Sequence, residues 1–331
     1  MISVIIPCYN AEKTIAATIS SALEQDVEKE IIVVNDGSTD KSETIIRRFG
    51  DEILSITTPN RGASSARESG ASMARGAYVQ YLDSDDLLTQ GTLGSRMRAL
   101  DRHQADVAHT DWQKLEPREN GADILGDIMR PDLSAIERDV EAATAVSDFW
   151  APPAALLYRR EIVDRIGGWH MGLPVIQDAR YLFEAARHKA RFVHVPEVGA
   201  YYNVRQGSLS RQNLKRFIAD CSRNTAEIEA LWRGQGTLSP SRVDALARMW
   251  DHVLKAALLN GLDEFEEARA GYNRVVAPRS LVEAGYILRR TIGVKATSSM
   301  LQAALQSKQL LLRQVNAGVS GLPRRGDVSV N

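Results

Sequence analysis

The sequence predicts an α/β protein: a mainly parallel, Rossmann-like sheet followed by a C-terminal α-helical extension. Three observations carry this. Over the first hundred residues, short runs rich in β-branched and aromatic residues alternate with helix-period stretches, the pattern of βαβ units. Strand signals stop after residue 209 or so. Two of the turns that follow strands are dense in carboxylates, and an open parallel sheet binds its ligands beyond the carboxyl ends of its strands.

The elements follow in order. Residues 2–6 read as the opening strand. Residues 11–24 read as a helix, because Ile15, Ile19, Ala22 and Leu23 share one face. Strands 30–34, 53–57 and 78–82 then alternate with helices 41–49 and 63–74. Beyond residue 100, 105–110 reads as a strand and 116–132 as a polar connection. Residues 154–158 form a further strand, leading into a helix at 159–165 that Gly167-Gly168 closes. Residues 191–195 and 199–204 look like a late strand pair. After that 211–233, 239–259, 263–276 and 280–316 read as helices, broken at Gly234-Gln235-Gly236, Gly261 and Pro278. The expected organisation is an α/β domain over 1–210, a helical extension over 211–317 and a flexible tail over 318–331.

Composition sets the class. The 331 residues are 44% hydrophobic and 25% charged, which excludes a disordered chain, a fibrous repeat or a disulfide scaffold. Cys8 and Cys221 are too far apart in sequence for a paired-cysteine motif. No apolar run approaches the ~18 residues of a membrane span, and the first residues lack the basic lead of a signal peptide. A cytoplasmic protein is expected. The net charge of −1 gives no ground for nucleic-acid binding. From Arg279 onward, however, the balance is +6, leaving −7 on the rest. The amphipathic stretch 282–312 is therefore expected either to pack on protein or to make peripheral contact with the inner face of the cell membrane. The oligomeric state is left open.

Two constellations carry chemistry. Val34-Asn35-Asp36-Gly37-Ser38-Thr39-Asp40 is a strand end, a turn and a helix start. Asp40 suits an N-cap, whereas Asp36 has no cap to make. Leu82-Asp83-Ser84-Asp85-Asp86 places three carboxylates within four residues, which repel one another unless a cation joins them. Asp86 capping the next helix is the plainer reading of that turn. Hard divalent cations are commonly held by one or two carboxylates together with substrate phosphates. Two acidic strand ends facing one crevice favour metal-assisted handling of a phosphorylated substrate.

Taken with Ile5-Ile6-Pro7-Cys8-Tyr9-Asn10, Asn60-Arg61-Gly62 and Ala66-Arg67, these motifs resemble the family 2 glycosyltransferases of the GT-A fold. The resemblance covers about residues 1–210. It implies inverting transfer of a sugar from a nucleotide-sugar donor, UDP first among the bases, to a hydroxyl of a glycan or lipid-linked acceptor, with Mg²⁺ or Mn²⁺. Residue by residue it implies that Tyr9 stacks on the donor base, Pro7 shapes the wall, Asp36 accepts from the base and Arg67 fixes that end. Asp83 would hold the ribose and Asp85 the metal at the diphosphate. Gly167-Gly168-Trp169-His170 followed by Gln177-Asp178 is similar to the family's base motif, which makes Asp178 the expected general base and His170 a weaker rival. Gln177 stands where the family commonly has Glu. Arg205 stands where the family commonly has a metal-ligating His. A guanidinium cannot ligate a metal, so Arg205 is expected at the donor diphosphate, with weaker metal dependence. Trp150 and Trp169 are the expected acceptor-stacking residues. Two other readings compete. A phosphotransferase would use Asp83 and Asp85, although Leu87 stands where that motif needs Thr or Val. A non-catalytic carbohydrate-binding or scaffold protein would not need Asp85 and Asp178 together.

Overall fold

The computed structural model describes residues 1–117, 123–204, 213–236, 238–276 and Ser299. The expected helix 280–316 and tail 318–331 lie outside the described residues apart from Ser299, and Arg205 lies outside them altogether.

Strands β1 (Ile2–Cys8), β2 (Lys29–Asn35), β3 (Leu54–Thr57) and β4 (Tyr78–Tyr81) pair in parallel in the order β3-β2-β1-β4. Between them run helices α1 (Ile15–Leu23), α2 (Ser42–Ile46) and α3 (Ala63–Met73). β1 is buried along its whole length, as a central parallel strand must be. It tolerates Pro7 because its ladder with β4 ends at Ile5↔Tyr81, so the missing N–H costs no strand hydrogen bond there.

The sheet continues with β8 (Leu156–Arg159), β6 (Val107–Pro117), β9 (Phe192–Asn203) and the two-residue β5 (Leu87–Leu88). β8 is antiparallel to both β4 and β6, and β9 runs parallel to β6. Six strands thus point their carboxyl ends toward one edge. The entry to β8, which carries Trp150, arrives at that same edge.

Several elements differ from expectation. The polar connection 116–132 contains β7 (Asp123–Met129), which pairs antiparallel with an extended β6. The late strand pair is one strand, β9, whose register against β6 slips near Thr110 and Asp111, at the Pro196-Glu197 dipeptide. Helix α5 (Leu133–Ala145) had no counterpart in the sequence reading. Its signal was legible: Asp132 caps it, accepting from the Ser134 and Ala135 amides.

Compactness divides the chain between Met249 and Trp250, not near residue 210. The reason is the helix Leu214–Gly234. It docks on α5 and on α7 (Gln177–Arg187), through Trp232 Nε1 donating to Glu141 at 3.0 Å and the Trp232 ring 5.9 Å from Phe183. The second unit contains the end of helix Pro240–Asn260 and the helix Glu264–Val275, turning at Gly261 as expected. Trp250, Phe265 and Tyr272 form its buried interior.

Candidate active site

The loops after β1 and β2 are stapled together. Asn10 Oδ1 accepts from Thr39 N at 2.8 Å, Asp40 accepts from both Glu12 N and Ser42 N, and Ala11 N donates to Ser42 Oγ. Asp40 therefore serves the start of α2 and the neighbouring loop at once. Beside it Asp36, 3% exposed, accepts from Arg61 N at 2.9 Å and Gly62 N at 2.8 Å. Its carboxylate holds the 60–62 turn and keeps further lone pairs for a ligand. Gly37 has φ +71°, and a Cβ there would sit 2.9 Å from Asn60 N, so only glycine lets the two loops close. Tyr9, at the mouth of this notch, is 50% exposed.

Arg67 on α3 is 3% exposed and donates from Nη2 to Asp83 Oδ1 at 2.5 Å. Its Nε and Nη1 have no hydrogen-bond partner among the described residues. Buried donors of this kind are rare. The guanidinium lies 4.3 Å from the Trp169 ring centroid, and Trp169 stacks on Tyr181 at 4.1 Å. With Tyr81 and Tyr158 these rings form an aromatic floor. This corrects the acceptor role of Trp169. At 5% exposure it is the bed on which Arg67 rests, with no open face for a sugar.

The acidic turn follows β4. Asp83 and Asp85 are half-buried, and Asp86 is buried. Asp86 Oδ1 accepts from Asn203 N at 2.9 Å, which ties the turn to the end of β9; a short strand, not a helix, comes next, so it makes no helix cap. Burial pushes the Tyr202 phenol well up, and the carboxylates of Asp86, Asp178, Asp83 and Asp85 push it further. A concentration of negative charge of this kind suits a divalent cation. Among the described residues no group of three or more His, Cys, Asp or Glu side chains forms a metal cage by itself. The residues present fit an ion held mainly by a ligand's phosphates plus one carboxylate.

Asp178 is the second residue of α7, partly exposed, and its Oδ2 accepts from Trp150 Nε1 at 3.1 Å. Burial raises its pKa. The Ala179 amide opposes this, Asp83 adds to it, and Arg67 and Trp150 oppose it. Asp178 is not the helix cap; that position is Ile176, which makes no side-chain cap bond. Gln177, in place of a common Glu, is tied to Ser64 Oγ on α3 and donates to Pro174 O at 3.1 Å. His170 accepts from Gly172 N at Nδ1 and meets Glu227 through Nε2 at 3.0 Å. Both ring nitrogens are engaged, so His170 anchors its loop.

Sequence reasoning missed the frame behind the site. Arg96 is fully buried and donates to Gln80 Oε1, Ala154 O, Thr110 Oγ1 and Gly199 O. It joins α4 (Thr92–His103) to four parts of the sheet layer. Its sequence neighbourhood carries no motif; only its place on the inner face of an amphipathic helix could have flagged it.

An α/β sheet with an acidic turn after β4, a paired-loop notch and a carboxylate across the crevice defines the GT-A class of fold. Residues 3–167 match the family model described as Glycosyl transferase family 2, and the chain belongs to that family. It is 29% identical over 221 residues to Glycosyltransferase GlyA of Streptococcus pneumoniae serotype 4, covering 63% of this chain and 31% of that protein. It is 28% identical over 235 residues to the Escherichia coli protein named UDP-Glc:alpha-D-GlcNAc-diphosphoundecaprenol beta-1,3-glucosyltransferase WfaP, covering 66% of this chain and 83% of that one. The chain spans less than half the length of several curated relatives it matches. Among solved structures, S. aureus TarS 1–349 in complex with UDP-GlcNAc aligns with a TM-score of 0.57 at 20% identity, over 87% of this chain and 91% of that one. The mannosyltransferase PcManGT of Pyrobaculum calidifontis, in complex with GDP-Man and Mn²⁺, aligns with a TM-score of 0.54 at 19% identity, over 90% and 83%. At these identities the structures speak for the fold.

Proposed function

We propose that the protein transfers a sugar, with inversion, from a nucleotide-sugar donor to a hydroxyl of a glycan or lipid-linked acceptor, with Asp178 as general base. The observation that carries this is the placement of Asp178. It is a partly accessible carboxylate with a raised pKa, in the field of Asp83 and Arg67 at the carboxyl edge of the sheet. A base must be near the proton it removes and poised close to the working pH. Asp178 takes the proton from the acceptor hydroxyl as its oxygen attacks the anomeric carbon.

The donor fits the other half of the crevice. Tyr9 offers an exposed ring for base stacking, with Pro7 in the strand behind it. Asp36 and the partnerless donors of Arg67 would meet the base end, and Asp83 the ribose. Mg²⁺ or Mn²⁺ would be held by Asp85 at the diphosphate, where it supplies charge neutralisation for the leaving group. Arg205, outside the described residues, belongs to the same reading as a diphosphate contact. UDP is the favoured nucleotide, in line with the donor printed in the name of the E. coli relative. The acceptor printed there is lipid-linked, which suits a protein working at the inner face of the cell membrane. No helix among the described residues is long and apolar enough to cross a membrane.

Thermal shift with UDP, GDP and dTDP, each with and without Mn²⁺, tests the donor side. The expected result is stabilisation by UDP that Mn²⁺ strengthens, with the metal increment lost in Asp85→Ala. No response to any nucleotide would overturn the reading.

A further inference from the structure

Trp150 stands where the sequence predicts a flat face for an acceptor sugar, yet its polar edge is already committed. Its Nε1 donates to Asp178 Oδ2 at 3.1 Å. The indole is wedged edge-on among rings: 5.5 Å from Trp112 at 87° and 5.9 Å from Tyr202 at 86°. Trp112 and Tyr202 themselves meet at 5.3 Å. The preceding residue, Phe149, is fully buried against His109 and Phe192, and its amide donates to Ala143 O at 3.1 Å. The following Ala151-Pro152-Pro153 enters β8 through a proline-stiffened turn. Backbone and ring are thus both held, and the indole N–H has one direction in which to point.

We propose that Trp150 is a positioning residue for the reaction, fixing the orientation of the Asp178 carboxylate and keeping it ionised. This rests on the reading of Asp178 as the base. A carboxylate on a single rotatable stem, near the start of a helix, can swing about χ1 and χ2. An indole N–H pinned by two rings removes that freedom before the substrate arrives, which is the form of preorganisation that makes proton transfer efficient. The bond also has a sign. A donor to the charged carboxylate favours the ionised form, against the burial and the Asp83 charge that favour the neutral one. The other groups facing Asp178 are Arg67, which also favours ionisation, and the phenols of Tyr158 and Tyr202, both held protonated by burial.

The test needs no knowledge of donor or acceptor. In protein labelled with ¹³C-aspartate, the Asp178 carboxyl is assigned by its loss in Asp178→Asn and titrated by NMR. In Trp150→Phe, which keeps the ring packing and removes the donor, its midpoint should rise by about one pH unit. An unchanged midpoint overturns the proposal. In unmutated protein labelled with ¹⁵N-tryptophan, the Trp150 indole N–H should titrate with the same midpoint as the Asp178 carboxyl and lose that titration in Asp178→Asn. A flat response, or one that survives Asp178→Asn, also overturns it, and this measurement stands even where Trp150→Phe fails to fold. Failure of the base reading is seen separately, as donor turnover that persists in Asp178→Asn while both titrations behave as described.

Discussion

If Asp178 is the proposed base, it couples chemistry to stability at a single side chain. Burial, reinforced by Asp83, holds its folded pKa above the ordinary 3.8. The native state therefore binds this proton more tightly than the unfolded chain, and stability falls as pH rises from 3.8 through the folded pKa. Asp178→Asn should accordingly raise Tm at pH 7, with the gain vanishing in acid below the ordinary value. Activity should show the opposite dependence, falling as pH drops through the raised pKa, because the base must be ionised. At Arg96 burial pulls the guanidinium down to about 9, which still leaves it protonated at neutral pH. Arg96→Met strands four buried acceptors and should cost about 3 kcal/mol or more in urea unfolding. Gly199 packs against that network: a Cβ would lie 2.4 Å from Thr110 Oγ1 and 2.6 Å from Arg96 Nη2. Gly199→Ala should cost about 1–3 kcal/mol, read as a lowered Tm. Burial also pushes the Cys8 thiol up to about 11 and Cys221 up to about 12. Neither should react with iodoacetamide at pH 7 in the native protein, and both should react once it is unfolded.

At the scale of elements, the loop carrying Trp169 and leading to Asp178 is gripped from two sides. From α3, Glu68 accepts from Trp169 N and Ser64 meets Gln177. From the helix Leu214–Gly234, Asp220 accepts from Val175 N at 3.0 Å, Glu227 meets His170, and Arg223 donates to Gly172 O at 2.9 Å. Arg180 on α7 completes the clamp through Asn224 and Glu227. Asp220→Ala should therefore reduce turnover, on the order of tenfold, while leaving UDP affinity unchanged; a matching loss of UDP affinity would argue against a clamp specific to the base. This helix was legible as a helix but not as part of the catalytic unit, because its polar residues at 220, 223 and 227 look like a solvated face until their partners are known. The same limit explains β7. Its stretch lacks strict alternation, and pairing with β6 is a long-range choice that local propensity does not encode. Strands β1 and β2 were legible because buried parallel strands read as near-continuous apolar runs. That Asp36, Asp83 and Asp85 lie in turns after strands was legible from the strand pattern, whereas Tyr9 was singled out by the family resemblance; the roles of all four belong to the proposal. The place of Trp169 was not legible, since an aromatic under a buried arginine and one open to a sugar have the same sequence.

For the whole molecule, the crevice has two halves with different electrostatic tasks. One half, on the loops after β1, β2 and β3, offers an exposed ring and buried donors. The other, formed by the turn after β4 and the start of α7, gathers carboxylates. On the proposed reading a nucleotide diphosphate with its cation would bridge them. The central claim is that Asp178 takes the acceptor proton while the donor is held elsewhere. The most direct measurement is UDP release from UDP-glucose and UDP-GlcNAc with Mn²⁺, compared between wild type and Asp178→Asn, alongside UDP affinity by calorimetry. Removing the base should cut turnover by roughly 10²- to 10⁴-fold with UDP affinity unchanged. Wild-type turnover in Asp178→Asn, under conditions where the wild-type enzyme is active, would contradict the account.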